Sequence, residues 1–126
     1  MPIEPDEQQM TEIAARAGGA EDGAVVMLNL NRYRDRDAYE RYGEVAMAVL
    51  ERVGGRILWH AQAHQTVIGD ESDRYDEVIA VWYPSRSAFI ELATSPGVLA
   101  ARADRAAGLE RAALICCESG PGQSLA

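Results

Sequence analysis

Residues 54–68 have the sequence GGRILWHAQAHQTVI, in which a glycine pair separates a helical pattern from a strand. Glycine ends helices readily because it adopts a left-handed backbone without steric cost. Side chains at even spacings share one face of a strand, so we expect Arg56, His60 and His64 to project to the same side. One cation and two groups that titrate near neutrality suit an anionic small molecule, and a solvated strand face is an equally good interpretation.

The sequence on both sides of this stretch predicts the element order βαββαβ. Nearly continuous apolar runs predict strands at residues 24–31, 76–83 and 112–118, in addition to the strand that starts at Arg56. Helical spacing predicts a helix over residues 38–53, with Asp37 as a candidate cap, and two helical segments within residues 85–108. Two right-handed crossovers then give an α+β, ferredoxin-like antiparallel sheet with both helices on one face. The other face is apolar and bare, which predicts a homodimer through this sheet face.

The chain divides into three parts. Residues 1–23 are predicted to be an N-terminal helix, over residues 5–17, and a glycine-rich linker. Residues 24–118 are predicted to be the ferredoxin-like domain, and residues 119–126 a flexible tail.

The composition excludes several kinds of chemistry and partner. All twelve basic residues among the 126 are arginine, so a lysine Schiff base or a phosphate-loop lysine is impossible. The net charge of −8 disfavours nucleic-acid and membrane partners, and we expect a cytoplasmic protein. No glycine-rich phosphate loop, nucleophile elbow or zinc spacing is present in the sequence, so we expect neither a cofactor nor a metal. Adjacent Cys116 and Cys117 are interpreted as small buried residues.

Acid–base chemistry would therefore depend on a histidine, a carboxylate or a tyrosine. On an extended strand His60 and His64 are roughly 13 Å apart, so they cannot both bind one small ion. Asn29 interrupts an apolar strand, where a polar amide must find partners or face a pocket. Arg56 is a candidate for binding a carboxylate or enolate, or else for an ion pair. The acidic residues between positions 70 and 77 are interpreted as a solvated loop.

Several short motifs resemble the domain-of-unknown-function 1330 family over roughly residues 24–118. They are Leu28-Asn29-Leu30, Gly54-Gly55-Arg56, Tyr83-Pro84-Ser85-Arg86, and Ser95-Pro96 followed by Arg102 and Arg105. The resemblance implies a dimeric α/β barrel, in which two ferredoxin-like sheets pack face to face and a ligand lies between sheet and helices.

The wider superfamily implied by this resemblance includes cofactor-free monooxygenases acting on polyketides, muconolactone isomerase and haem-degrading enzymes. Some of the monooxygenases use an asparagine on the first strand and a tryptophan on the third, and Asn29 with Trp82 is similar to that pair. The family also has a core aromatic residue at the position of Tyr83, which would turn Trp82 toward the dimer. The sequence is compatible with either position of Trp82, in the pocket or at the dimer interface.

Two functions are compatible with the sequence. The first is a cofactor-independent enzyme, of the isomerase, cyclase or monooxygenase type, acting on a small acidic or aromatic metabolite. Its catalytic candidates are His60 and Asn29, and its substrate-binding candidates are Arg56, Arg105, His64, Tyr83 and Trp82. Arg105 has a structural alternative, which is to hold the two helices together. The second function is a non-catalytic dimeric module that binds a small molecule or a protein. A pocket that encloses Asn29 together with Arg56 or a histidine would favour the enzyme.

Overall fold

Four antiparallel strands form one sheet in the order β2-β3-β1-β4, in a computed structural model that describes residues 3–119. The elements in chain order are α1 (Glu7–Ala14), β1 (Val25–Tyr33), α2 (Arg36–Arg52), β2 (Arg56–Gln62), β3 (Glu77–Tyr83), α3 (Arg86–Ala93), α4 (Pro96–Ala100), α5 (Arg102–Gly108) and β4 (Leu109–Cys117). A 3-10 turn at Glu71–Asp73 lies in the β2–β3 connection. This order confirms the predicted ferredoxin-like fold. The tail predicted beyond Ser119 lies outside the described residues.

The helices that follow β1 and β3 cover a single face of the sheet, called here the inner face. Its strand positions are odd-numbered in β1 and β3, and Met27 and Tyr83 belong to a core cluster with Leu50 of α2 and Phe89 of α3. Burying such side chains supplies most of the stabilisation, at about 1.5–3 kcal/mol for each large apolar residue. The even-numbered positions form the outer face, on which no helix packs within residues 3–119.

Side-chain caps fix where the helices start. The Asp35 carboxylate accepts hydrogen bonds from the backbone N–H groups of Asp37 and Ala38, so Asp35 caps α2 and the prediction of Asp37 was wrong. Ser85 caps α3, and Ser95 caps α4 with Pro96 in the first turn. Capping oxygens satisfy N–H groups that have no partner inside the helix.

Two glycines allow α2 to lie where it does. Gly54 follows α2 with φ of +84°, which is the left-handed conformation expected at a helix end. Gly108 ends α5 against Tyr39, since a Cβ on Gly108 would lie 2.6 Å from the backbone nitrogen of Tyr39. Only glycine permits this approach, which lets Tyr39 of α2 lie over the inner face of the sheet.

A bulge in β2 changes the faces that the even spacing predicted. The register shifts between Ile57 and Trp59, so Arg56 pairs with Trp82 on the outer face while His60 pairs with Ile79 on the inner face. A bulge inserts one extra residue, and every later side chain then points to the opposite side. β2 ends at Gln62, so His64 lies in an exposed connection. The prediction that Arg56, His60 and His64 share one face was therefore wrong.

The N-terminal helix is shorter than predicted and is joined to the domain by its linker. α1 begins at a reciprocal cap between Asp6 and Gln9 and ends at Ala14. The Asp22 carboxylate accepts hydrogen bonds from the backbone of Gly18 and Arg86 and from both the backbone and the hydroxyl of Ser87. These bonds, above all the one from the Ser87 hydroxyl, lower the pKa of Asp22 to about 2. The linker is thus pinned to the start of α3.

Two other predictions concern the cysteines and the possibility of a membrane-spanning helix. Cys116 is exposed on the edge strand β4 and Cys117 is half-buried, so the interpretation of both as buried residues was wrong for this chain. In the part of the chain that the structure describes, no helix has the length and apolar character needed to cross a membrane.

Candidate functional site

A cleft of about 900 Å³ lies between the inner face of the sheet and the helices. Its walls are mainly apolar and aromatic, with a small number of polar groups, which is the usual make-up of a small-molecule site. The lining side chains include Met27, Asn29, Tyr33, Tyr39, Tyr42, His60, Glu77, Ile79, Tyr83, Phe89 and Arg105. The cleft is therefore the candidate site.

Asn29 and His60 lie on the same face of the sheet, on either side of Ile79. Asn29 of β1 and His60 of β2 both pair with Ile79 of β3, so the three residues form one row across three strands. The Asn29 amide nitrogen donates to the backbone carbonyls of Met27 at 3.2 Å and, weakly, Ile79 at 3.5 Å. Among residues 3–119, no donor contacts its Oδ1. Asn29 can therefore accept a hydrogen bond from a bound molecule.

Glu77 is the polar centre of the cleft. This residue is only 3% exposed, and its carboxylate lies 2.8 Å from His60 Nε2 and accepts a 2.9 Å bond from the Asn31 amide. The same amide donates to the Tyr39 hydroxyl at 3.0 Å. A buried carboxylate is retained only when it is paired and hydrogen-bonded, and here both conditions are met.

The position of Glu77 determines how the His60 ring is oriented. An Nε2–H donated to the carboxylate leaves Nδ1 as the nitrogen with a free lone pair. Nδ1 has no partner in the part of the chain described, and the His60 side chain is 54% exposed. Such a carboxylate–imidazole pair holds the tautomer that can accept a proton from a ligand.

The tyrosines beside this pair stay protonated. Burial and then the nearby Glu77 carboxylate raise the pKa of both Tyr33 and Tyr39. Their rings contact each other with centroids 5.7 Å apart. Tyr83, whose pKa is raised by burial, packs edge-on against Phe89. These residues provide aromatic walls and neutral hydroxyl groups.

Arg105 of α5 also lines the cleft. Its guanidinium lies over the Tyr42 ring at 5.9 Å, and its Nη1 donates to the backbone carbonyl of Ile3. Glu4 and Pro5 line the cleft as well, and Glu4 lies 4.0 Å from Arg102. Arg105 therefore contacts α2, as its structural alternative predicted, and also the N-terminal segment, which was not predicted.

The structure thus separates the predicted site residues into two groups. Asn29, His60, Tyr83 and Arg105 line the cleft. Arg56 and Trp82 lie outside it, with the Arg56 guanidinium 4.9 Å from the centre of the Trp82 ring on the outer face. His64 is exposed in the β2–β3 connection. The assignment of these three residues to the pocket was wrong, because of the bulge in β2, the alternation along β3 and the end of β2 at Gln62. Trp82 lies on the outer face, which was the other position considered for it.

Sequence reasoning missed Glu77, Asn31 and Tyr39. Glu77 was included in a solvated acidic loop, although it has the same parity as Ile79, Val81 and Tyr83 on β3. That parity was the signal that could have placed its carboxylate inside the domain. Within residues 3–119, no cluster of three or more histidine, cysteine or acidic side chains could hold a metal ion.

Residues 23–118 match the model of the family described as Domain of unknown function (DUF1330). A solved structure of a protein of unknown function from Rhodopseudomonas palustris is 31% identical, with a TM-score of 0.82, over 90% of this chain and 93% of that one. A methylated form of that protein aligns over 97% of this chain and 98% of its own, at 30% identity and a TM-score of 0.86.

More distant structures share the fold alone. A dimeric ferredoxin-like protein of unknown function from Bacteroides fragilis is 16% identical, covering 76% of this chain and 96% of its own, with a TM-score of 0.51. A cofactor-independent oxygenase from Streptomyces nogalater is 15% identical, covering 80% and 99%, with a TM-score of 0.50. A search of curated proteins finds no match.

Proposed function

Since this chain belongs to the DUF1330 family and has the ferredoxin-like fold of its neighbours, we propose that the cleft is the active site of a cofactor-independent enzyme. Its substrate is a small acidic or aromatic metabolite. The observation that carries the proposal is the contact of 2.8 Å between His60 Nε2 and the buried Glu77 carboxylate, on the wall of an aromatic cleft.

In the proposed mechanism, His60 acts as a general base. Glu77 accepts the hydrogen bond from Nε2–H and stays ionised, so it stabilises the imidazolium that forms when Nδ1 takes a proton from an acidic C–H or O–H group of the substrate. Positioned general bases contribute roughly 10²- to 10⁴-fold in rate. Isomerisation, cyclisation and oxygenation of an enol or phenol can all begin with this proton transfer, so the pair is compatible with each of the three types.

The remaining groups of the cleft bind and orient the substrate. Asn29 Oδ1 accepts a hydrogen bond from a substrate hydroxyl, while Arg105 attracts an anionic group and Tyr83 supplies an aromatic wall. The protonated Tyr39 maintains the Asn31 amide that holds Glu77 in place. The cofactor-independent oxygenase of the same fold supports this class of enzyme at the level of architecture.

The proposal also includes a homodimer formed through the outer face. Trp59 and Ile115 on this face are 49% and 50% exposed, and Leu28, Leu30, Val78 and Trp82 are only partly buried. An apolar sheet face of this kind is normally covered, and several neighbours with the same fold are dimeric proteins. The cleft lies on the opposite side of the sheet and stays open in such a dimer.

A ligand screen tests the proposed enzyme. Small aromatic and keto acids are screened by thermal shift against the wild type, Asn29→Ala, His60→Asn and, as a control, His64→Asn. We expect the acid that binds to stabilise the wild type and His64→Asn, and to stabilise Asn29→Ala more weakly. Turnover is measured as exchange of the ligand's acidic C–H hydrogen for deuterium, and we expect His60→Asn to lose it.

Each other outcome has a distinct meaning. If no acid stabilises the wild type, the proposal is wrong. Binding without exchange of the ligand's acidic hydrogen for deuterium, in wild type and His60→Asn alike, would favour the non-catalytic binding module.

A further inference from the structure

The N-terminal segment closes one side of the cleft through few contacts. Residues 3–10, called here the strap, place Glu4, Pro5 and Met10 in its lining. α1 buries none of its residues fully; Ile13 packs against the core, whereas the half-buried Met10 faces the cleft. The following turn is tied down by Arg16 on Glu118, at 2.8 Å, and by Asp22 on α3. The chain beyond Ile13 is therefore held independently of the strap.

Two arginines of α5 hold the strap. The pair formed by Arg102 and Glu4 spans 4.0 Å between side chains that are 61% and 42% exposed, and such a pair contributes little. The second contact is the donation from Arg105 Nη1 to the Ile3 carbonyl. This bond is the main polar contact between the strap and the cleft wall.

Arg105 is incompletely satisfied by this contact. A guanidinium has five N–H donors, and the Ile3 carbonyl accepts a hydrogen bond from only one of its nitrogens, Nη1. No carboxylate of residues 3–119 pairs with Arg105, whereas Arg41 has Asp104 at 3.2 Å. A carboxylate can bind a guanidinium through two parallel charge-assisted bonds, which are roughly twice as strong as bonds to a neutral oxygen. A ligand carboxylate therefore competes favourably with the Ile3 carbonyl.

We propose that Arg105 is a carboxylate subsite that the Ile3 carbonyl fills in the absence of ligand, and that an aromatic carboxylate displaces the strap when it binds. The Tyr42 ring beneath the guanidinium supports this subsite, since arginine stacks on aromatic faces while binding an anion. The inference rests on the proposed ligand-binding role of the cleft, and it adds the chemical group that is recognised and the segment that moves.

Hydrogen exchange measured by mass spectrometry tests the inference, with benzoate and neutral benzamide as probes at millimolar concentration. We expect benzoate to slow exchange in β1 and β3 and to speed exchange in residues 3–10. Benzamide should bind more weakly and leave the strap in place. Arg105→Gln should show fast strap exchange without any ligand, and its affinity for benzoate should fall about tenfold or more. Arg102→Gln is the matched control and should keep the preference for benzoate.

The two levels of the proposal can be told apart. Equal protection of β1 and β3 by both probes, or unchanged strap exchange with benzoate, overturns the carboxylate switch and leaves the cleft as a ligand site. Failure of both probes to protect β1 and β3 counts against the subsite and the cleft together.

Discussion

Replacement of Glu77 by glutamine tests the polar centre of the cleft with almost no change in shape. Glu77 is 3% exposed and its carboxylate contacts His60 and the Asn31 amide, which both act as donors. A glutamine side chain has one acceptor oxygen, so its own NH₂ group must face one of these partners. Either the Asn31 amide N–H then faces the glutamine NH₂, so that two donors oppose each other, or His60 must change tautomer so that Nε2 accepts from the glutamine NH₂.

The expected loss of folding stability follows from the hydrogen bonds that Glu77 makes with Asn31 and His60. A hydrogen bond to a charged group contributes about 1.5–3 kcal/mol, and one such bond is lost or mismatched in Glu77→Gln. A chain of this size shifts its melting temperature by roughly 3–5 °C for each kcal/mol, so we expect a decrease of roughly 5–15 °C. Glu71→Gln is the control, because that side chain is 80% exposed and its change should stay within about 0.5 kcal/mol.

Calorimetry and long-range nitrogen NMR of the histidine rings provide the assay. In the wild type the proton of His60 should reside on Nε2, and in Glu77→Gln the tautomer should change or become mixed. A variant that melts within the range of Glu71→Gln and keeps the Nε2–H tautomer would refute the role assigned to Glu77.

Three further predictions concern other parts of the molecule. The pKa of Asp22 is lowered to about 2, so its carboxylate contributes stability above the unfolded pKa near 3.8, and this contribution is lost as the pH falls through about 2. The melting temperatures of the wild type and Asp22→Asn should therefore differ at pH 7 and converge near pH 2. A difference that stays constant with pH would contradict the account. Gly108→Ala would force a Cβ to within 2.6 Å of the Tyr39 backbone and should destabilise by about 1–3 kcal/mol in urea unfolding, whereas Gly43→Ala, with nothing within 4 Å, should stabilise by about 0.5–1 kcal/mol. Ile115→Asp on the outer face should yield a monomer in light scattering, while Ala48→Asp on the exposed side of α2 should leave the dimer intact; a dimeric Ile115→Asp would place the interface elsewhere.

Local patterns were sufficient to predict the fold. The apolar runs of β1 and β3, the helical spacing of α2 and the glycine pair after it each report a property of consecutive residues. The order of these elements admits few right-handed arrangements, and the ferredoxin-like sheet is one of them. The expectation that Asn29 must find partners or face a pocket depended on the same local signal, and in the structure Asn29 both donates to backbone carbonyls and lines the cleft.

The pairing of site residues depended on information that is not local. A bulge after Ile57 places His60 on the inner face and Arg56 on the outer face, and no residue type in β2 indicates such an insertion. The burial of Glu77 was readable from the alternation along β3. Its partners were not, because Asn31 and His60 meet it only once strands distant in sequence pair in register.

The central claim is that the cleft at His60 and Glu77 is the ligand site, and chemical-shift mapping with the best acid of the screen tests it most directly. Along β3, inner-face residues Ile79 and Val81 should shift strongly, together with Asn29 and His60, while outer-face Val78 and Ala80 should shift little. The alternation follows from the register of the sheet. Perturbations confined to outer-face residues, or absent from His60, would contradict the account.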